Sequence, residues 1–179
     1  MSLEDGYAEH CARAASRSVP SVVAAGLPSG VALITTDQIG QNRIVVVPGA
    51  NGALRPRDID DASALLASAA MILTQLELET PFDTIEYLAQ QAQGLRVPLI
   101  LDPAPARSLP ARLLRLVTDL TPNESESMAL CNGSGKLNPS TAAEQARMLR
   151  DRGPRNMIVK MGSQGVYVSG DNFEGLVPE

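Results

Sequence analysis

Leu116-Val117-Thr118-Asp119-Leu120-Thr121-Pro122-Asn123-Glu124-Ser125-Glu126 passes from a short apolar segment into a helix-forming run, with a proline and an asparagine at the join. The pattern predicts a short strand, Asp119 to Thr121, and a helix over about Asn123 to Cys131. Asn123 and Glu126, at N-x-x-E spacing, share one face of the first helical turn. Unpaired backbone N–H groups and the helix dipole favour phosphate there. A carboxylate would repel a bare polyphosphate, but it suits one that carries a divalent cation, directly or through its waters. The same residues also read as a capped helix start with acids in the first turn. From this stretch alone both readings stand.

Outward from it, β-branched and apolar runs alternate with helical ones. Val31 to Thr36 and Arg43 to Val47, separated by a polar turn, read as a hairpin. Pro56 opens a helix with Ile59, Ala62, Leu65, Leu66 and Ala69 at helical spacing, and Met71 to Leu76 is a short strand. Thr80 reads as an N-cap, with Pro81 at the first helical position. Phe82, Ile85, Leu88, Ala89 and Ala92 line one face of that helix, and Gly94 is the expected left-handed C-terminal residue. Val97 to Leu101 is a strand and Leu109 to Val117 a helix. Thr141 with Glu144 reads as a capping box for a helix to Arg152. Asn156 to Met161 is a strand, Gly165 to Ser169 pairs back on it, and Asn132 to Pro139 is a loop.

This alternation predicts an α/β fold, a mostly parallel sheet of Rossmann-like type covered on both faces. Ligands of such sheets bind beyond the carboxyl ends of the strands. Glu77, Asp102, Asn123 and Gly162 each fall just past an expected strand end, which points to one site.

The 179 residues suffice for one domain, since a chain of about 150 buries roughly 68–70% of its extended surface. Hydrophobic content of 44%, with 3% aromatic and no Trp, calls for a core of Ala, Leu, Val and Ile. A net charge of −5 and a pI near 4.9 lack the basic footprint of nucleic-acid binding. Cys11 and Cys131 have neither metal spacing nor a disulfide framework, so free thiols and a cytoplasmic protein are expected. The apolar stretch Ala64 to Leu73 is too short to span a bilayer. Glu4, Asp5 and Glu9 count against a targeting presequence. His10 is the only histidine, so no Ser-His-Asp or Cys-His set can be built, which excludes the hydrolase classes that need one.

Several further motifs follow one order: Gly40 to Asn51, Gln75-Leu76-Glu77, Asp102-Pro103-Ala104-Pro105-Ala106-Arg107, Asn123 to Glu126, and Lys160-Met161-Gly162-Ser163-Gln164-Gly165. In that order and spacing the chain resembles the phosphofructokinase-B (ribokinase-like) family of sugar kinases, from about Ser29 to Val177. The resemblance implies a kinase domain over residues 29–179, with the hairpin 31–47 as a lid, behind a poorly patterned segment 1–28. It implies ATP-dependent phosphorylation of D-ribose to ribose 5-phosphate, with ATP and Mg2+ as cofactors and no monovalent-cation site within this chain. Glu77 is similar in position to a carboxylate that takes sugar hydroxyls, which a carboxylate can accept in pairs. Asn123, Lys160, Gly162, Ser163 and Gly165 take nucleotide-side roles, and Glu126 organises the metal.

The chain departs from the family's pattern at two of these motifs. Asp102 stands where asparagine is usual, and Lys160 where threonine is frequent. It also contains no Gly-Gly pair and no G-A-G-D motif, which in the family supply sugar contacts, an anion hole and the catalytic base. No catalytic residue is therefore assigned. The expectation is an incomplete site, in a truncated product, a split subunit or a fragment. Such a chain would be inactive alone, would bind sugar and ATP only when complemented, and would self-associate or pair with a complementary chain. A non-catalytic nucleotide- or partner-binding module is the rival reading, and an unrelated nucleotide-binding α/β domain a third. Neither nucleic acid nor membrane is an expected partner.

Overall fold

The computed structural model describes residues 26–38, 40, 42–76, 80–133 and 137–178. Its six-stranded sheet follows sequence order, β3 (Ile72–Gln75), β4 (Leu99–Asp102), β5 (Asp119–Leu120), β6 (Asn156–Lys160), β7 (Val166–Ser169) and β8 (Glu174–Val177). The first four strands are parallel, and β7 and β8 fold back antiparallel. Helices α3 (Phe82–Leu95), α4 (Ala111–Leu114), α5 (Glu124–Leu130) and α6 (Pro139–Arg150) make the parallel crossovers. The expected α/β fold, a mostly parallel sheet with flanking helices, is what forms. The expected hairpin forms separately, β1 (Val31–Thr36) against β2 (Asn42–Val47), with Val31 paired to Val47.

Parallel strands laid down in sequence order, each joined by a right-handed crossover, put their helices on the same face. Burial follows that rule. Leu99, Leu101, Leu120, Met157 and Val159 are almost fully buried with Ile85, Ala89, Leu113, Ala146 and Leu149 of the helices. The opposite face is less shielded than the expected two-sided cover. Ile100, Ile158 and Val168 are half-buried, and Leu73, register partner of Ile100, is 67% exposed.

Local expectations needed five corrections. The helix expected from Pro56 divides into α1 (Pro56–Asp61) and α2 (Ser63–Ser68), because Ala62 leaves helical geometry at φ −92° and ψ 5°. Thr80 does not cap α3; its hydroxyl donates to Asn51 O at 3.0 Å, and Pro81 is the N-cap. Arg96, not Gly94, takes the left-handed end at φ 59°, where Val97 N–H bonds back to Ala92 O at 2.9 Å and brings buried Val97 onto the helix. Asn138, not a Thr141–Glu144 pair, starts α6: its Oδ1 accepts from Ser140 N and Thr141 N, with Pro139 in the first turn. The helix expected over Leu109 to Val117 is only the four residues of α4, after which the chain tightens through i−3 bonds that bury Val117.

Candidate functional site

Three connections leave the carboxyl ends of adjacent parallel strands. Asp102 is the last residue of β4 and opens the Pro103–Arg107 crossover. Thr121 to Asn123 follow β5, where Thr121 N–H bonds to Leu101 O at 3.0 Å. Lys160 ends β6, and its N–H bonds to Pro122 O at 2.9 Å, so that a parallel bridge sets Asn123 beside Lys160. The sheet register thus gathers Asp102, Asn123 and the Lys160–Gly165 loop at one edge. Glu77 belongs to residues 77–79, which lie outside the described residues, as does His10.

Asn123 and Glu126 form a reciprocal capping box at the start of α5. Asn123 Oδ1 accepts from Glu126 N at 2.9 Å and from Ser125 Oγ at 2.8 Å, while Asn123 N–H donates to Glu126 Oε2 at 2.8 Å. Glu126 is buried, at 7% exposure. The capped-start reading of this stretch is therefore physically realised, and any ligand role of Asn123 or Glu126 is added to it. Among the described residues no three acidic, His or Cys groups converge on a metal position.

In the Lys160–Gly165 loop the two glycines have different reasons. Gly165 has φ 89°, and a Cβ there would lie 2.1 Å from Val177 O, so β8 itself demands glycine. Gly162 has φ 53° with nothing within 4 Å of a Cβ position, which leaves its backbone open to approach. Ser163 lies exposed in the 3-10 turn Gly162–Gln164.

The two departures from the family pattern meet in space. Lys160 Nζ sits 2.7 Å from Asp102 Oδ2, with 41% and 20% of the two side chains exposed. Sequence reading treated them separately, because nothing local links positions 58 apart. Arg107 closes the Asp102–Arg107 motif. Its Nη2 donates to Thr80 O at 3.2 Å and its guanidinium lies 4.1 Å from the Phe82 ring centre, fastening the β4–α4 crossover to the start of α3.

Cys131 closes α5, and burial pushes its thiol up, away from the reactive range. A cavity of about 320 Å³ lined by Arg147, Arg150, Asp151, Pro154, Arg155 and Asp171 lies at the opposite end of β6. Its arginines are already paired, Arg150 and Arg155 with Asp171 and Arg147 with Glu174. No helix among the described residues is long and apolar enough to cross a membrane.

Residues 5–179 match the pattern of the pfkB family carbohydrate kinases. The chain is 35% identical over 150 residues to the bifunctional ribokinase/ribose-5-phosphate isomerase A of Fructilactobacillus sanfranciscensis, covering 84% of this chain and 27% of that protein. It is 33% identical over 144 residues to the ribokinase of Staphylococcus aureus, covering 80% and 46% respectively. Its fold is similar to the crystal structure of ribokinase from Thermotoga maritima, with a TM-score of 0.77 and 31% identity over 99% of this chain and 56% of that one. The chain spans about half the length of the ribokinases it matches.

Proposed function

The chain belongs to the pfkB family of carbohydrate kinases, and on that premise we propose that it carries the phosphate-binding side of a ribokinase-like site. The reaction is transfer of the γ-phosphoryl group of ATP to a hydroxyl of D-ribose or a related sugar. The observation that carries this reading is the convergence of Asp102, Asn123 and Lys160 at the carboxyl edge of three adjacent parallel strands, where ligands of open α/β sheets bind. Relatives at 33–35% identity that are ribokinases support ribose as the acceptor.

Phosphoryl transfer depends chiefly on positioning and charge neutralisation. In this reading Lys160 supplies positive charge to the nucleotide phosphates. The open backbone of Gly162 and the Ser163 hydroxyl approach them, and the Asn123 amide orients them. Magnesium supplies charge neutralisation between the phosphates, and Glu126 is the residue that would meet it or its waters. Glu77 takes the sugar hydroxyls, and the hairpin 31–47 closes over the sugar to exclude water.

The described carboxylates gathered at this edge are already engaged, Asp102 with Lys160 and Glu126 in the Asn123 cap, and neither is assigned as a base for the acceptor hydroxyl. Asp171 lies at the other end of β6, held by Arg150 and Arg155. Acid–base assistance is worth about 10²–10⁴ in rate. The 179-residue chain alone is therefore expected to show no ribose phosphorylation above background. A radiometric assay with ribose, ATP and magnesium tests this. Turnover that disappears in Glu126→Ala would show that the assignment of roles is wrong.

A further inference from the structure

We propose that Asp102 and Lys160 act as one charge-compensated unit at this edge, Lys160 touching the polyphosphate and Asp102 acting as the positioning residue that holds it. The inference rests on the nucleotide reading above and adds to it a residue that the reading leaves without a role.

The unit is built by the register of the sheet. β5 is only two residues long, so the side chains ending β4 and β6 reach each other past its end, and Lys160 Nζ meets Asp102 Oδ2 at 2.7 Å. The main chain of Lys160 is fixed by its bond to Pro122 O, one residue before Asn123. Its ammonium has three protons and gives one to Asp102, leaving two for phosphate oxygens, and 41% of the side chain is open to solvent. Asp102 is the more enclosed partner, at 20% exposure, and its Oδ1 is buried without a hydrogen-bond partner among the described residues. Among the described residues, Lys160 Nζ is the hydrogen-bond donor that this carboxylate meets.

That asymmetry fixes what each substitution does. Without Lys160, a poorly solvated negative charge remains beside the place where a polyanion binds, and both its desolvation and its repulsion are uncompensated. Without both charges, neither penalty exists. A pair that only braced β4 against β6 would change stability and leave ligand affinity alone.

The test is calorimetric titration of inorganic tripolyphosphate, with magnesium, into the wild-type chain, Lys160→Thr, Asp102→Asn, the double variant and Asn123→Ala, each with its melting temperature. Lys160→Thr is expected to weaken binding by at least about tenfold, and the double variant, which lacks the lysine contact but also the stranded carboxylate, to bind at least about threefold more tightly than Lys160→Thr. Lys160→Arg, which keeps the charge should the threonine variant not fold, is expected to stay within about threefold of wild type; a larger loss at an unchanged melting temperature overturns the proposal. Lys136 and Lys160 are the only lysines. Lysine-selective labelling therefore gives two side-chain signals, and tripolyphosphate should move the one that Lys160→Thr removes. Binding that Asn123→Ala weakens but Lys160→Thr does not, or additive losses without recovery, overturns the pair and leaves the nucleotide reading standing. Absence of any tripolyphosphate binding by the wild type overturns both.

Discussion

Asn123 and Glu126 hold each other: the amide oxygen of one accepts the backbone N–H of the other at 2.9 Å, and the carboxylate returns the bond at 2.8 Å. The two side chains that would meet nucleotide and metal are thus also the clasp of a seven-residue helix. Structure and ligand binding are coupled at this point, and a variant must be chosen to separate them.

Asn123→Ala should cost about 1 kcal/mol of stability, the usual value of a lost N-cap, while Asn123→Asp should keep most of it because aspartate caps equally well. Urea denaturation measures both. Asn123→Asp also adds a negative charge where the proposed function puts the phosphates, so it should weaken nucleotide binding while preserving the fold.

The two loop glycines should respond differently. Gly165→Ala meets Val177 O at 2.1 Å as well as a positive φ, and should cost more than the roughly 1–2 kcal/mol of a left-handed alanine. Gly162→Ala meets nothing within 4 Å and should cost only that strain. Thermal melts of the two variants compare them directly, and equal losses would contradict the packing argument.

Arginine pairs clasp the far end of the sheet. The hydrogen bond from Arg155, with the charges of Arg155 and Arg150, holds Asp171 below its ordinary value of 3.8. The bonds from Arg147 and then Tyr167 hold Glu174 below 4.5. A carboxyl depressed in the folded state adds stability that is fully present above its unfolded pKa and is lost as pH falls through the folded one. Urea midpoints should therefore fall as pH drops below about 4, and Asp171→Asn should flatten that dependence. These groups lie at the surface, so added salt should diminish the effect.

The hairpin exposes apolar side chains on both of its faces, Leu33 at 62%, Ile34 at 60% and Val45 at 62%. Exposed apolar surface of this kind drives association. Sedimentation should show concentration-dependent self-association that Leu33→Thr with Val45→Thr reduces. A monomer at all concentrations would contradict this.

The legible parts of this chain were those decided by near neighbours in sequence. The β-branched runs Val31–Thr36 and Arg43–Val47 around a polar turn marked the hairpin, and the Asn123 cap followed from local donor and acceptor geometry. Placement of Asp102 at a strand's end, and of Asn123 and Gly162 past theirs, needed only the alternation of strand and helix. What was not legible depends on contacts distant in the chain. Thr80 left its expected cap for Asn51 O, 29 positions away, and Arg96 replaced Gly94 because the burial of Val97 decided where α3 stops. The ion pair of Asp102 with Lys160 exists only because β4 and β6 flank a two-residue strand.

The central claim is that the carboxyl edge of β4, β5 and β6 is a nucleotide-phosphate site. Calorimetric titration of ATP, with and without magnesium, into the folded chain and into Asn123→Ala and Glu126→Ala tests it most directly. The account predicts saturable, magnesium-dependent binding near the millimolar range, about −4 kcal/mol, weakened by both substitutions. Micromolar binding that ignores magnesium and both substitutions would place the nucleotide elsewhere and contradict it.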